Sequence, residues 1–233
     1  MHVVELKTGR RLLRTYYNRI AGQSLERLAA LSDGIFAVAM TLLVLDLRVP
    51  VSSGFNVVLP LWASGAIQHE PELWNDLVKL APNILTYLMS FLTLGIFWVG
   101  QQTQFNNFKR SDRHLTWIHL AFLLAVTLMP FSTGLLAALP TYRLALVVYW
   151  LNIFLLGAVL FGSLQYASRA GLMKDEITVE MCSALERRIF IGQALYAFGA
   201  LLCVINTYVS IVFIVLVQLN YAIAPRIGLL DRL

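Results

Sequence analysis

The chain consists of long apolar stretches separated by shorter polar segments, and six of the apolar stretches are long enough to cross a bilayer. A helix needs about 20 apolar residues to span the hydrocarbon core of a membrane. The six predicted spans are residues 31–49, 80–105, 115–139, 144–166, 189–205 and 209–224. The pattern therefore predicts an all-α fold, that of a polytopic membrane protein with six transmembrane helices.

Two breaks in the pattern predict where helices end. Residues 189–224 as a single helix would be about 54 Å long, whereas the hydrocarbon core is about 30 Å thick. The segment Asn206-Thr207-Tyr208 is therefore predicted to be the turn of a helical hairpin. Pro130 lies inside the third span, where it predicts a kink or a local break whose freed backbone groups are satisfied by neighbouring helices.

Two of the connecting segments are long. Residues 50–76 are predicted to be external, and their portion 55–62 is apolar enough to lie in the membrane interface or to form a partial re-entrant cap. Residues 168–188 carry charges of both signs and are predicted to form a short helix on the cytoplasmic side.

The composition points to the same class of protein. Hydrophobic residues make up 58% of the 233 residues and charged residues 13%, whereas soluble domains carry roughly 25% charged residues. A soluble core of this size cannot bury so much apolar surface, so an integral membrane protein is predicted. The two cysteines are too scattered for a disulfide framework, and the four histidines do not fall at metal-ligand spacings, so neither a metal site nor a cofactor is expected.

The basic residues predict the orientation. If the N-terminus is cytoplasmic, the inner segments hold 15 of the 18 lysines and arginines and the outer segments hold only Arg48, Lys79 and Arg143. This is a strong positive-inside bias, and an even number of spans then places both termini in the cytoplasm. The net charge of +5 is explained by this bias, so no nucleic-acid partner is expected.

The chain divides into a basic cytoplasmic arm at residues 1–23, a six-helix transmembrane domain at 24–226 and a short cytoplasmic tail at 227–233. The arm has no short apolar stretch followed by a small-residue cleavage site, so no cleavable signal peptide is expected. Residues 10–19 form either a basic amphipathic helix on an anionic leaflet or a solvated arm.

Signatures of catalysis are missing from the sequence. It has no Gly-rich phosphate loop, no His-Glu-x-x-His and no Gly-x-Ser-x-Gly. The predicted spans carry Ser, Thr, Asn and Gln rather than paired acids, bases or nucleophiles, so the protein is predicted not to be an enzyme. A Thr-Val-Gly-Tyr-Gly carbonyl filter and an arginine ladder are missing as well, which excludes the P-loop and voltage-sensor designs.

The first span carries one helical stripe that suits a pore. Gly34, Val38, Thr41, Leu42 and Leu45 follow the spacing i, i+4, i+7, i+8 and i+11. Repeated around a symmetry axis, the stripe would form apolar rings, which gate by dewetting, and a ring of hydroxyl oxygens, which replaces part of the hydration shell of a cation. Because nearly every residue of this helix is apolar, periodicity alone also fits an ordinary packed helix.

The start of the same span carries a polar motif that resembles a family signature. Arg27 is followed after three residues by Leu31-Ser32-Asp33, and the helix continues with Gly34-Ile35-Phe36-Ala37 and Met40-Thr41-Leu42-Leu43-Val44-Leu45. The segment resembles the transmembrane protein 175 family of potassium channels, in its prokaryotic single-repeat form. The likeness continues downstream at Tyr87, Ser90-Phe91, Trp98, Lys109-Arg110, Asp112-Arg113, Leu120, Phe122-Leu123 and Met129-Pro130-Phe131-Ser132-Thr133.

The resemblance implies a non-P-loop potassium channel, a homotetramer of six-helix subunits whose first helices line a central pore. By position, Val38 would form the apolar constriction, Leu42 and Leu45 would narrow the path further, and Thr41 would supply the selectivity layer. Potassium would be the permeant ion, and no cofactor is implied. The residues expected to anchor the pore helix are Arg27, Ser32, Asp33, Trp98, Gln102 and His119.

The chain departs from the family pattern at three places. Leu31 replaces a phenylalanine, Gln101-Gln102 replace a histidine pair, and His119 stands where the family often has asparagine. The amide of Gln102 and the imidazole of His119 are hypothesised to have exchanged places across one interface. The alternatives remain that His119 is an ordinary core residue, that the glutamines are solvated, and that Asp33 simply favours the positive end of the helix.

The sequence thus favours a potassium channel in a prokaryotic plasma membrane, with membrane lipids, potassium ions and further copies of the chain as partners. A proton- or ion-coupled secondary transporter is the first alternative, with Asp33 and His119 as its only plausible carriers, although no internal repeat is visible. A membrane scaffold without transport is the second.

Overall fold

The computed structural model describes residues 24–49, 60, 62–63 and 70–223. The predicted arm at 1–23, the predicted tail at 227–233 and most of the predicted interfacial segment at 55–62 lie outside the described residues.

The described part of the chain is almost entirely helical, which confirms the predicted all-α fold. In chain order the helices are α1 (Leu25–Leu42), continued by a 3₁₀ turn at Leu43–Asp46, α2 (Glu70–Lys79), α3 (Ala81–Asn107), α4 (Arg113–Thr127), α5 (Met129–Ala138), α6 (Arg143–Arg169), α7 (Val179–Leu201), continued by a 3₁₀ turn at Leu202–Val204, and α8 (Thr207–Ile223).

Five helical segments among the described residues are long and apolar enough to cross a membrane. They are Leu25–Leu45, Ala81–Asn107, Arg113–Ala138, Arg143–Arg169 and Val179–Val204. The sixth predicted span corresponds to α8, which is apolar but has only 17 residues, or about 26 Å of helix. The polytopic membrane architecture is therefore confirmed, and the count of six spans stays a prediction.

The third predicted span is interrupted where Pro130 predicts a break. α4 ends at Thr127 and α5 begins at Met129, with Pro130 in its first turn. The side-chain amide of Asn152, oriented by its hydrogen-bond partners, donates to the Ala125 carbonyl at 3.0 Å and accepts from the Met129 N–H at 3.1 Å. A side chain of α6 therefore takes the place of the backbone hydrogen bond that a continuous helix would have at this point.

The predicted hairpin between the last two spans is present. The Asn206 side-chain oxygen accepts from the backbone N–H of Tyr208 at 2.7 Å, while Thr207 already belongs to α8. The two helices approach closely at Gly199, where an added Cβ would lie 2.9 Å from Ile214 Cγ1. Small residues allow such close approach between helices in a membrane.

Two loop predictions are corrected by the structure. Residues 179–188 were expected to lie in a separate short helix, but they are the first turns of the long helix α7. Residues 70–76 were expected in a long loop, but they form part of α2, none of whose residues is buried. In both places the helix carries charged residues and does not form an apolar stretch, because the exposed turns of a helix need not be apolar.

Candidate pore helix and its polar anchor

α1 has one buried face and one exposed face. Its buried residues are Leu28, Ser32, Phe36 and Ala39, whose spacing follows one side of a helix, and the Phe36 ring packs against Phe122 of α4 with centroids 6.0 Å apart. Its N-terminus is capped by Ser24, whose hydroxyl accepts from the Arg27 N–H at 3.3 Å. One subunit therefore covers only one side of this helix.

The predicted stripe lies on the exposed face. Val38 is 58% exposed, Leu42 43% and Leu45 69%, and Gly34 and Thr41 are exposed as well. Leu45 belongs to the 3₁₀ turn and not to the α-helix assumed by its spacing, yet its side chain stays exposed. Part of this face borders a groove whose other wall includes Thr127 and Pro130.

The hydroxyl of Thr41 is oriented by its own helix. It donates its proton to the Val38 carbonyl at 2.8 Å. A hydroxyl that donates to the backbone keeps its oxygen lone pairs free to accept or to coordinate. Thr41 therefore presents an oxygen ligand on an otherwise apolar face.

Asp33 ties the base of α1 to α3. One of its carboxylate oxygens accepts from Trp98 Nε1 at 2.8 Å and from Gln102 Nε2 at 2.8 Å. Trp98 and Gln102 are four residues apart, so both side chains leave α3 on the same face. The structure thus brings together three of the predicted anchor residues.

Ser32 begins a second, buried connection. Its hydroxyl donates to the Leu28 carbonyl at 2.8 Å and accepts from Gln101 Nε2 at 3.2 Å. Gln101 Nε2 also lies 3.5 Å from His119 Nδ1, and His119 Nε2 lies 3.2 Å from the Ser163 hydroxyl. Ser32, Gln101 and His119 are all fully buried.

The partners fix the direction of this chain of hydrogen bonds. Ser163 donates to Gln104 Oε1 at 3.1 Å, so its oxygen accepts from a protonated His119 Nε2, and Nδ1 is left to accept from Gln101. Gln104 ends the chain by donating to the Leu160 carbonyl at 2.9 Å. The chain links α1, α3, α4 and α6 through a neutral imidazole that is both donor and acceptor.

The hypothesised contact between Gln102 and His119 is wrong. Gln102 bonds Asp33, and it is Gln101 that faces His119. Consecutive residues of a helix point about 100° apart, so adjacent glutamines reach different neighbours. The alternative that Gln101 is solvated is also wrong, because its side chain is fully buried.

Arg27, another predicted anchor, lies at the start of α1. Its guanidinium is exposed and makes no hydrogen bond or ion pair with the described residues, so its anchoring role stays a prediction.

Gln104 and Ser163 belong to the buried chain but were not predicted from the sequence. Both are polar residues inside apolar helices, and that pattern could have indicated them.

The described helices define a polytopic helical membrane protein whose first helix is fixed at its base by polar contacts. Residues 27–130 match the sequence model of the family described as the endosomal/lysosomal potassium channel TMEM175. The chain is 31% identical over 190 residues to a potassium channel of Chamaesiphon minutus, a match that covers 79% of this chain and 87% of that relative. The chain therefore belongs to the TMEM175 family, which is a family of ion channels and not of enzymes.

Two further comparisons agree with this assignment. A potassium channel of Streptomyces collinus is 36% identical over 111 residues, which are 48% of this chain and 47% of that relative. The match therefore spans about half the length of the relative. The crystal structure of a lysosomal potassium-selective channel TMEM175 homolog from Chamaesiphon minutus has a TM-score of 0.69 and 25% identity, and it covers 87% of this chain and 98% of that one.

Proposed function

We propose that the chain is a potassium-selective or potassium-preferring channel of a prokaryotic plasma membrane. In this proposal it is a homotetramer of six-helix subunits, residues 24–226 form the channel domain, and both termini are cytoplasmic. Relatives described as potassium channels support the choice of ion. The concentration of lysine and arginine in the predicted inner segments supports the orientation.

The observation that carries the proposal is the exposed stripe of α1. One helix cannot enclose a pore, so the face formed by Val38, Thr41 and Leu42 needs further copies of itself to become a channel. Four copies around an axis give an apolar constriction at Val38, a layer of hydroxyl oxygens at Thr41 and further apolar rings at Leu42 and Leu45. Dehydration of a cation is offset at the Thr41 layer, and the apolar rings close the path when they dewet.

The polar anchor supports the same proposal. Asp33 and Ser32 hold the base of α1 against α3, one to two helical turns before the Val38 constriction. Hydrogen bonds from two neighbouring residues to one face of α3 favour one position of the helix. A pore helix needs such rigidity, because the distance between facing oxygens determines how well a cation is coordinated.

The experiment is a potassium and sodium flux assay on the purified protein in liposomes. The proposal expects faster potassium flux, and it expects Thr41→Val to reduce the preference, since valine keeps the shape and removes the oxygen. Thr41→Ser keeps the oxygen and serves as the matched control. Equal selectivity in Thr41→Val and Thr41→Ser would remove Thr41 from the selectivity layer.

The same assay separates the two alternative functions. A secondary transporter predicts saturable flux coupled to a second gradient, without single-channel steps. A scaffold predicts no flux in any ionic gradient. Either result would contradict the channel proposal.

A further inference from the structure

A cleft lies between α3, α6, α7 and α8, away from the pore helix. Gly100 of α3 lines it and follows Trp98 by two residues, about 200° further around the helix axis, so the cleft opens on the side of α3 opposite Asp33. It holds a cavity of about 110 Å³, which is room for several waters or for part of a hydrocarbon chain. α7, which borders the cleft, is the least buried of the five candidate spans among the described residues.

The walls of the cleft are mostly apolar. Phe97, Leu160 and Ile189 form part of the wall. Van der Waals contact with a hydrocarbon chain suits such a wall.

A cation stands at the mouth of the cleft. Arg188 lines it, its side chain is exposed, and it forms no ion pair within the described ranges. It lies on α7 two turns before Tyr196. A guanidinium at the mouth of an apolar cleft suits an anionic headgroup that carries a hydrocarbon chain.

We propose that this cleft binds one anionic phospholipid. The phosphate lies on Arg188 at the mouth of the cleft. One acyl chain lies along Phe97 and Ile189. This site explains why a cation and an apolar wall follow one another along a single cleft.

The cleft is also joined to the pore helix. Gln104 lines the cleft and is the last member of the hydrogen-bond chain that runs through Ser163, His119 and Gln101 to Ser32 of α1. The binding of the lipid stands without the channel proposal, whereas its effect on flux rests on that proposal.

The binding test is native mass spectrometry of the intact protein in mild detergent, with equal amounts of phosphatidylglycerol and phosphatidylcholine. We expect retention of phosphatidylglycerol above phosphatidylcholine and a fall of about fivefold in its retention in Arg188→Gln. Arg187→Gln is the matched control, because it removes the same charge from the next residue, which does not line the cleft. Retention in this control should be unchanged.

A second variant tests the cleft rather than the charge. A Cβ at Gly192 would make ordinary contact with the Tyr221 hydroxyl at 3.5 Å, so the backbone accepts a side chain, and Gly192→Leu should fill the cavity and abolish retention. The proposal is overturned if Arg187→Gln and Arg188→Gln lose lipid equally, or if inorganic phosphate displaces phosphatidylglycerol. It is also overturned if Gly192→Leu changes the subunit count, because a second copy of the chain would then occupy the cleft. If Gly192→Leu does not fold, the comparison of Arg187→Gln with Arg188→Gln tests the proposal by itself.

Flux into liposomes with and without phosphatidylglycerol tests the connection to the pore. Ser163→Ala breaks the hydrogen-bond chain outside the cleft, so this variant should still retain the lipid while its flux no longer responds to it. An equal response in Ser163→Ala and the unaltered protein would refute the connection. A complete lack of flux would instead contradict the channel proposal and leave the binding result standing.

Discussion

Asp33 of α1 accepts a hydrogen bond of 2.8 Å from the indole nitrogen of Trp98 on α3. The two residues are 65 positions apart in the chain. Gln102, one turn further along α3, donates to the same carboxylate oxygen. The base of the proposed pore helix is therefore held by one carboxylate between two donors of a single neighbouring helix.

Removal of this contact should loosen α1. Asp33→Ala and Trp98→Phe are each expected to lower thermal stability in detergent. The double variant should lose less stability than the sum of the two single losses, with a coupling energy of about 1 kcal/mol. Trp117, which is exposed on α4, gives the control Trp117→Phe, whose effect should add to that of Asp33→Ala. Additive losses for Asp33 and Trp98 would mean that the contact contributes nothing.

The pairing of glutamine and histidine can be tested in the same way. Gln101→Ala with His119→Ala should be non-additive by at least about 0.5 kcal/mol, because each removes a partner of the other inside a buried chain. Gln102→Ala with His119→Ala should be additive within about 0.5 kcal/mol, since Gln102 bonds Asp33. Melting temperatures of the two double variants distinguish them. The reverse pattern would restore the contact hypothesised between Gln102 and His119.

The break between α4 and α5 predicts a sensitive position on α6. Asn152→Ala leaves the Ala125 carbonyl and the Met129 N–H buried and unpaired, which should cost about 1–3 kcal/mol per group and lower the melting temperature clearly. Asn220→Ala removes an exposed amide from α8 and should change stability by no more than about 0.5 kcal/mol. Similar melting temperatures for the two variants would show that the amide does not bridge the break.

The constriction predicts an effect on conductance. Val38→Ala widens the proposed ring and should raise single-channel conductance, while Val38→Asn makes it easier to hydrate and should produce a leak. Val44 is exposed on the same segment but is not a stripe position, so Val44→Ala should leave conductance unchanged. Recordings in planar bilayers measure all three variants. An effect of Val44 equal to that of Val38 would place the constriction elsewhere.

The local features of this protein follow from the sequence alone. Apolar length and composition predicted the helical membrane fold, Pro130 predicted the break after α4, and Asn206 predicted the hairpin turn. The stripe through Val38 and Thr41 was predicted from helical spacing, and its exposure agrees with that spacing. These features depend on backbone geometry over a few turns, and neighbouring residues determine that geometry.

Only the tertiary structure decided which polar groups meet. The sequence singled out Asp33, Trp98 and His119, but it could not show that Gln101 and not Gln102 faces His119, because that depends on how far α3 is rotated against α4. It could not show that Asn152 bridges the Pro130 break, nor that Arg188 and Tyr196 border one cleft. Helix rotation and packing are set by the sum of many apolar contacts, each of them weak and without direction, and no local pattern of residues encodes that sum.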